Sequence, residues 1–302
     1  MGDILIGTCS WTDPTLIECG RFYPGPSLSA EARLRYYASK FPVVEVDSSY
    51  YALPGEGTSG LWVTRTGANF IFDIKAFRLF TQHPTPLSSL PRDIRASLPS
   101  RIRVKNSLYY NDLPDDVLQE IWHRFRQALL PLDSAGKLGV VLFQFPPWFC
   151  TGEGQYAHIL SCQQNLPQYT IAVEFRHNSW FDQVNMEHTL SFLRRHNLPL
   201  VCVDEPQGFS SSVPPLAEAT ADIALIRFHG RNREAWDKKG IGAAQRFDYL
   251  YSQEELAEWV DRIRYLASKT DQLHVLFNNC QQDKAVLNAS QMRLMLESYR
   301  NE

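Results

Sequence analysis

The sequence has no long apolar run, no Cys-x-x-Cys pair and no excess of charge of either sign, and each of these lacks excludes something. Without an apolar stretch near the length of a bilayer, no membrane-spanning helix is expected. Met1 is followed at once by the strand-like run Ile4-Leu5-Ile6-Gly7, with no basic and apolar leader pattern, so the expected location is cytoplasmic. The six cysteines, Cys9, Cys19, Cys150, Cys162, Cys202 and Cys280, are scattered without regular spacing, which argues against a zinc ribbon or a disulfide framework. Thirty basic residues against 33 acidic ones give a net charge of −3, so no global field draws the chain to nucleic acid. There is no Walker loop, no G-x-G-x-x-G after a strand and no G-x-S-x-G elbow. Nucleotide hydrolysis, dinucleotide redox chemistry and serine-esterase chemistry are therefore not expected, and no cofactor is indicated.

What is present is a chain of 302 residues, 44% hydrophobic, long enough for one large barrel or two ordinary domains. Eight short runs rich in β-branched and aromatic residues recur, at Ile4–Cys9, Val43–Ser48, Asn69–Lys75, Leu138–Phe145, Thr170–Arg176, Leu198–Asp204, Ile223–His229 and Leu273–Asn278. Helical patterns fall between them, at Ser29–Lys40, Pro114–Leu130, Gln155–Asn165, Asn185–His196, Gln253–Ser268 and Lys284–Glu297, several opened by Ser, Asp or Pro. Strands alternating with helices predict an α/β fold, a single irregular (β/α)8 TIM-type barrel over residues 1–302. Pro206 to Thr220 carries no helical pattern, so the crossover between strands six and seven is expected to lack a full helix. Pro84 to Asp112 reads as a loop flanking the barrel mouth, with a local basic run of Arg92, Arg95, Arg101, Arg103 and Lys105.

Side chains alternate across a strand, so in a barrel one parity points inward. In the fifth run Ile171, Val173 and Phe175 oppose Ala172, Glu174 and Arg176, which assigns the charged set to the interior. The same split places Leu225, Arg227 and His229 inward, Ile71, Asp73 and Lys75 inward, and Leu200, Cys202 and Asp204 inward. Strand two offers Val43, Glu45 and Asp47, strand four ends at Gln144, and strand eight carries His274 and ends at Asn278. Polar groups thus gather at the C-terminal strand ends, where barrels of this architecture carry catalysis. Unpaired, such charges would cost about several kcal/mol each, so the acids Glu45, Asp47, Asp73, Glu174 and Asp204 need Lys75, Arg176, Arg227 or His229 as partners. Structural ion pairing alone would explain the pattern too, but an apolar filling is often as stable, which favours a functional pocket. For single residues the bland reading is preferred: His274 as a hydrogen-bonded core histidine, Asp73 as the partner of Lys75 or an arginine.

Several local strings together resemble a known family. They are Gly7-Thr8-Cys9-Ser10-Trp11, Phe22-Tyr23-Pro24, Val44-Glu45-Val46-Asp47-Ser48-Ser49-Tyr50-Tyr51 and Gln144-Phe145-Pro146-Pro147. To them add Val173-Glu174-Phe175-Arg176-His177-Asn178-Ser179-Trp180, Arg227-Phe228-His229-Gly230-Arg231 and Phe277-Asn278-Asn279. From about residue 4 to residue 297 the chain resembles the YecE-like family, also called domain of unknown function 72. The resemblance implies a TIM-type barrel and brings no established reaction, substrate or cofactor. Cys280-Gln281-Gln282-Asp283 departs from the His- or Gly-containing turn seen at that place in many members.

The chemistry that these residue types support is that of an enzyme, a hydrolase or an isomerase/lyase, acting on a small polar anionic or sugar-containing substrate. Glu174 and Asp204, at the ends of successive strands, suit the paired carboxylates of glycoside hydrolysis. His177, His229 and Lys75 are candidates for proton transfer, with Arg176, Arg227 and Arg231 clamping a phosphate or carboxylate. Trp11, Tyr50 and Trp180 are candidates for stacking on a sugar or base, beside Glu45, Asp47, Gln144 and Asn278 as polar contacts. One divalent ion on Glu174, Asp204 and His229 is conceivable, but no close ligand spacing supports a metal site. The alternatives are a nucleic-acid-binding or processing barrel, suggested by the arginines and the basic run, and a non-catalytic ligand-binding module.

Overall fold

The computed structural model describes residues 2–25, 27–55 and 57–298. Eight strands follow in chain order: β1 Asp3–Cys9, β2 Val43–Val46, β3 Ile71–Lys75, β4 Leu138–Gln144, β5 Ile171–Glu174, β6 Val201–Asp204, β7 Ile223–Phe228 and β8 Gln272–Phe277. All pair in parallel in the order β5-β4-β3-β2-β1-β8-β7-β6. The remaining edges meet through one bridge between Val173 and Leu200, where the Val173 N–H donates to the Pro199 carbonyl at 2.8 Å. Neighbouring strands are sequential neighbours throughout, which is the topology of a TIM-type α/β barrel.

The main helices are α1 Ala30–Ala38, α2 Thr58–Thr64, α3 Asp115–Ser134, α4 Glu153–Asn165, α5 Met186–Arg195, α6 Gln253–Lys269 and α7 Lys284–Ser298. Their starts follow local chemistry. The Ser29 hydroxyl accepts from the Ala32 N–H ahead of α1, and Ser252 and Glu255 form a reciprocal capping box ahead of α6. At least one helix follows every strand except β6, and residues 205–222 return to β7 without one, as the sequence predicts. Residues 1 and 302 of the expected domain lie outside the described residues.

One helix lies outside the expected set and one expectation needs correcting. The stretch before β3 holds α2, whose short span and Gly60 gave no helical periodicity. Residues 84–112 are not a loop: short helices at Arg92–Ser97 and Ser100–Arg103 and a two-stranded pairing of Thr85–Pro86 with Ser107–Leu108 fold over Leu90, Ile94, Leu98, Ile102 and Leu108, all buried. Elements this short carry too few periodic positions to stand out in a sequence.

The main apolar core lies between strands and helices, where Phe80 stacks on Trp122 with centroids 3.5 Å apart and Phe228 packs on Trp259. A second, smaller apolar cluster of Cys9, Val43 and Leu276, with Leu5 and Ile71, fills the barrel interior. Beside it Asp73 and His274 pair across the interior, His274 Nδ1 lying 2.8 Å from Asp73 Oδ2. Asp73 therefore partners a histidine rather than Lys75 or an arginine, and His274 is the hydrogen-bonded core histidine expected. Gly139 makes room for this pair: a Cβ there would stand 2.3 Å from Asp73 Oδ1 and 2.8 Å from His274 Cε1.

Candidate functional site

Parallel register sets which side chains share the interior. Cys9 lies beside Glu45, Glu45 beside Asp73, Gln144 beside Glu174, and Arg227 beside both Leu276 and Val203. Above the apolar cluster this brings Glu45, Gln144, Glu174, Arg227, His229 and Asn278 to one place. Arg227, fully buried, donates through Nε and Nη2 to the two oxygens of Glu45 at 2.8 and 2.6 Å. Its Nη1 reaches Glu174 Oε2 at 2.5 Å and Gln144 Oε1 at 3.2 Å. The other Glu174 oxygen lies 3.1 Å from His229 Nε2 and 3.3 Å from Arg176 Nη1. A carboxylate only accepts, so His229 carries its hydrogen on Nε2 and its Nδ1 accepts from Asn278 Nδ2 at 2.9 Å.

The electrostatics divide the acids. Burial would raise Glu174, but Arg227, His229 and Arg176 outweigh it and hold the carboxyl well below its usual range. Burial pushes Glu45 up to about 7, against the pull of Arg227. His229, buried, falls to about 3 and is neutral near neutral pH. Glu174 is thus an ionised anchor with both oxygens engaged, and His229 has both ring nitrogens in use.

Above this network, at the C-terminal ends of the strands, opens a cavity of about 470 Å³. Its lining includes Cys9, Asp47, Tyr50, Lys75, Gln144 and Asn278 from the barrel, and Phe247 from the segment after β7. Lys75 Nζ pairs with Asp47 Oδ1 at 3.1 Å and sits 5.0 Å from the Tyr50 ring centre. Burial would lower Lys75, but Asp47 together with Glu45 and Glu174 outweighs it and the ammonium is held above its usual value; Asp47 in turn is held below its own, since Lys75 and Arg227 outweigh its burial. The cavity wall therefore presents a fixed ion pair and two amides, with the Arg227 network as its floor.

Other expected site residues stand elsewhere. Val203, not Asp204, lies beside the inward Arg227, so β6 has the opposite parity to that expected and Asp204 faces the helices. There Asp204 accepts from Tyr251 OH and Trp259 Nε1, both at 2.7 Å, and from Arg231 Nε and Nη2 at 3.0 and 2.7 Å. The facing Glu174–Asp204 pair is therefore not formed, Asp204 stands on the other side of the sheet from Glu174 and His229, and Arg231 is already shared among Asp204, Glu255 and Glu258. His177 caps a short turn, its Nδ1 accepting from the Ser179 N–H at 3.2 Å. Trp11 packs edge-on against Trp62 and Phe72, and Trp180 stacks on Phe149 and Phe175 with its Nε1 on the Phe149 carbonyl at 2.6 Å. Both tryptophans are core, because apolar contacts surround them on the helix side of the sheet. Among the described residues, no three His, Cys, Asp or Glu side chains stand together as metal ligands do.

The residue that parity missed is Glu205. It is buried, its Oε1 accepts from the Val213 N–H at 2.8 Å, and its Oε2 stands 3.6 Å from Arg176 Nε without a hydrogen bond. Burial pushes Glu205 up to about 8 against the pull of Arg176. The adjacent acids Asp204-Glu205 were the available signal: one must face each side. Trp236, 4.6 Å over the Arg176 guanidinium, and Phe247, 5.6 Å over His229, come from a connecting segment that has no strand or helix period to read.

Among the described residues no helix is long and apolar enough to cross a membrane. Residues 5–302 match the family described as Protein of unknown function DUF72. The UPF0759 protein YunF of Bacillus subtilis (strain 168) is 33% identical over 298 residues, covering 97% of this chain and 95% of its own. A DUF72 family protein of Enterococcus faecalis V583 superposes with a TM-score of 0.78 at 26% identity, over 98% of this chain and 96% of that one. Another, from Thermotoga maritima MSB8, gives 0.74 at 29% identity over 97% and 99%. With a barrel of this topology and a match over nearly its whole length, the chain belongs to the DUF72 family.

Proposed function

We propose that the chain is an enzyme, a hydrolase or an isomerase/lyase, that acts on a small polar anionic or sugar-containing substrate at the C-terminal mouth of the barrel. The observation that carries this reading is the cavity of about 470 Å³ whose wall holds the Lys75–Asp47 pair, Gln144 and Asn278 over a buried arginine network. Lys75 is the group on that wall suited to hold an anion, with Asp47 fixing its ammonium, while Gln144 and Asn278 suit hydroxyl or carbonyl oxygens. Glu174, His229, Glu45 and Arg227 act beneath them, fixing the two amides and the local charge. Tyr50 offers an aromatic face to a ring or sugar beside the ammonium.

The test is a panel of phospho-sugars, glycosides and hydroxy acids, screened for a rise in melting temperature and then for turnover. A true substrate should be converted by the wild type, and Lys75→Gln and Asp47→Asn should lower the rate by about a hundredfold or more. A panel with neither stabilisation nor turnover, or variants as active as the wild type, rejects the reading.

A second reading, binding of nucleic acid, rests on the exposed Arg92, Arg101 and Arg103 of the segment before α3. It requires binding to single- or double-stranded oligonucleotides that weakens steeply with salt and is lost when these arginines are replaced.

A further inference from the structure

Three connecting segments meet beside the mouth cavity. The Asn178 N–H donates to the Ser210 carbonyl at 2.9 Å, Ser211 Oγ to Asp237 Oδ1 at 2.7 Å, and Arg233 Nη1 to the Gln207 carbonyl at 2.6 Å. Where the segments after β5, β6 and β7 converge lie Arg176, Glu205 and Trp236. Each of the three has hydrogen-bonding capacity left over. Arg176 shares Glu174 with Arg227 and His229, its own bond there being long at 3.3 Å. Glu205 Oε2 and Trp236 Nε1 are buried and without a hydrogen-bond partner among the described residues. Such groups cost about 1–3 kcal/mol each when unsatisfied, so a site that keeps two beside one guanidinium is shaped for something else to complete it.

The sign of what completes it follows from the donors. A guanidinium and an indole N–H only donate, and a carboxyl that keeps its proton donates as well. Glu205 keeps its proton because burial dominates, with Arg176 pulling the other way and Glu174 and Asp204 reinforcing the rise. The matching occupant is an acceptor carrying negative charge.

We propose that Arg176, Glu205 and Trp236 form an oxyanion subsite that takes the phosphate or carboxylate group of the substrate. It rests on the reading of the mouth as the substrate site and deepens it, since Phe247 both lines the mouth cavity and lies 6.2 Å from Trp236. Arg176, whose side chain keeps 10% exposure, is the point of entry. The anion's oxygens take hydrogen bonds from the guanidinium, the indole N–H and the carboxyl proton, and the rest of the molecule extends over Gln144 and Asn278 toward Lys75.

Sulfate is the probe for the test, because its charge does not change between pH 6 and pH 9. Calorimetric titration of the whole chain at low salt is expected to show binding that Arg176→Gln weakens by about tenfold or more and Trp236→Phe, which loses only the donor, by about threefold to tenfold. Wild-type affinity should fall as pH rises through about 8, when Glu205 ionises beside Arg176, Glu174 and Asp204. Glu205→Gln, which keeps an uncharged donor, should bind across the range without that fall. Acetate and inorganic phosphate, titrated alongside, tell a carboxylate preference from a phosphate one. Binding that is unchanged in both Arg176→Gln and Trp236→Phe overturns the subsite, and those two variants decide the matter even where Glu205→Gln does not fold. Loss in Lys75→Gln with none in Arg176→Gln leaves the anion at the mouth and removes only this proposal; a wild type that binds none of the three anions removes the subsite, while the reading of the mouth as a substrate site is decided by the substrate panel.

Discussion

Arg227 grips Glu45 with two parallel bonds, Nε to Oε2 at 2.8 Å and Nη2 to Oε1 at 2.6 Å, although neither side chain touches solvent. The pair spans the barrel from β2 to β7 and its remaining nitrogen holds Glu174 on β5. A guanidinium is suited to this because its planar fork serves several carboxylate oxygens at once.

Replacing Arg227 by Met should leave Glu45 and Glu174 buried without their cation. The expected cost is about 3–5 kcal/mol of stability, read from denaturant unfolding, and Lys should not rescue it because one ammonium cannot replace the fork. A loss under about 1 kcal/mol would mean that the network contributes little to the fold.

Asp204→Asn separates the two acids at the end of β6. Asp204 joins Trp259, Tyr251 and Arg231 on the helix side, so the substitution should cost about 1–3 kcal/mol of stability while ligand binding at the mouth is unchanged. A variant as stable as the wild type but unable to bind ligand would return Asp204 to the site.

Gly139→Ala should destabilise by about 1–3 kcal/mol, because its Cβ would meet Asp73 Oδ1 at 2.3 Å and Ile71 Cγ2 at 2.7 Å in a packed interior. Pairing it with Asp73→Asn tests the cause, since two changes acting through the same contact should not add.

Stability should also carry the mark of Glu205. Its folded-state value, about 8, lies above that of an unfolded glutamate, so the contribution is complete below about pH 4.5 and is lost progressively up to about 8. Glu45, raised to about 7, adds the same trend. Glu174 and His229, both shifted down, act oppositely and lose stability as pH falls. Relative to Glu205→Gln, the wild type should therefore weaken between about pH 5 and pH 8 in urea titrations at a series of pH values. Parallel curves would show that Glu205 ionises in the folded protein as it does in water.

Much of this architecture was legible beforehand because strands declare themselves twice, by β-branched composition and by alternation. On β2, β5 and β7 the charged parity, Glu45, Glu174 with Arg176, and Arg227 with His229, does face the interior. Alternation failed at Asp204-Glu205, where two successive acids make either parity equally polar and the indole of Trp259 on α6 and the phenol of Tyr251 just ahead of that helix decide. It also loses its hold once a strand has ended, although Arg176 and His229, just past their strands, still keep the parity. Trp11, Trp180, His177 and Arg231 all follow a strand's last residue, and there the local turn and the helix layer set their direction. Trp236 and Phe247 approach the site from a segment without period, so only the folded chain brings them over Arg176 and His229.

The barrel's ring of backbone pairing is uneven, since seven joints are ladders and the eighth is the lone Val173–Leu200 bridge. That seam runs between the strand that ends at Glu174 and the strand that Glu205 follows, so the wall beneath Arg176 has the least main-chain mortar. Any separation of β5 from β6 would alter the spacing of the two carboxyls, and a single main-chain bridge is the sheet pairing that opposes it.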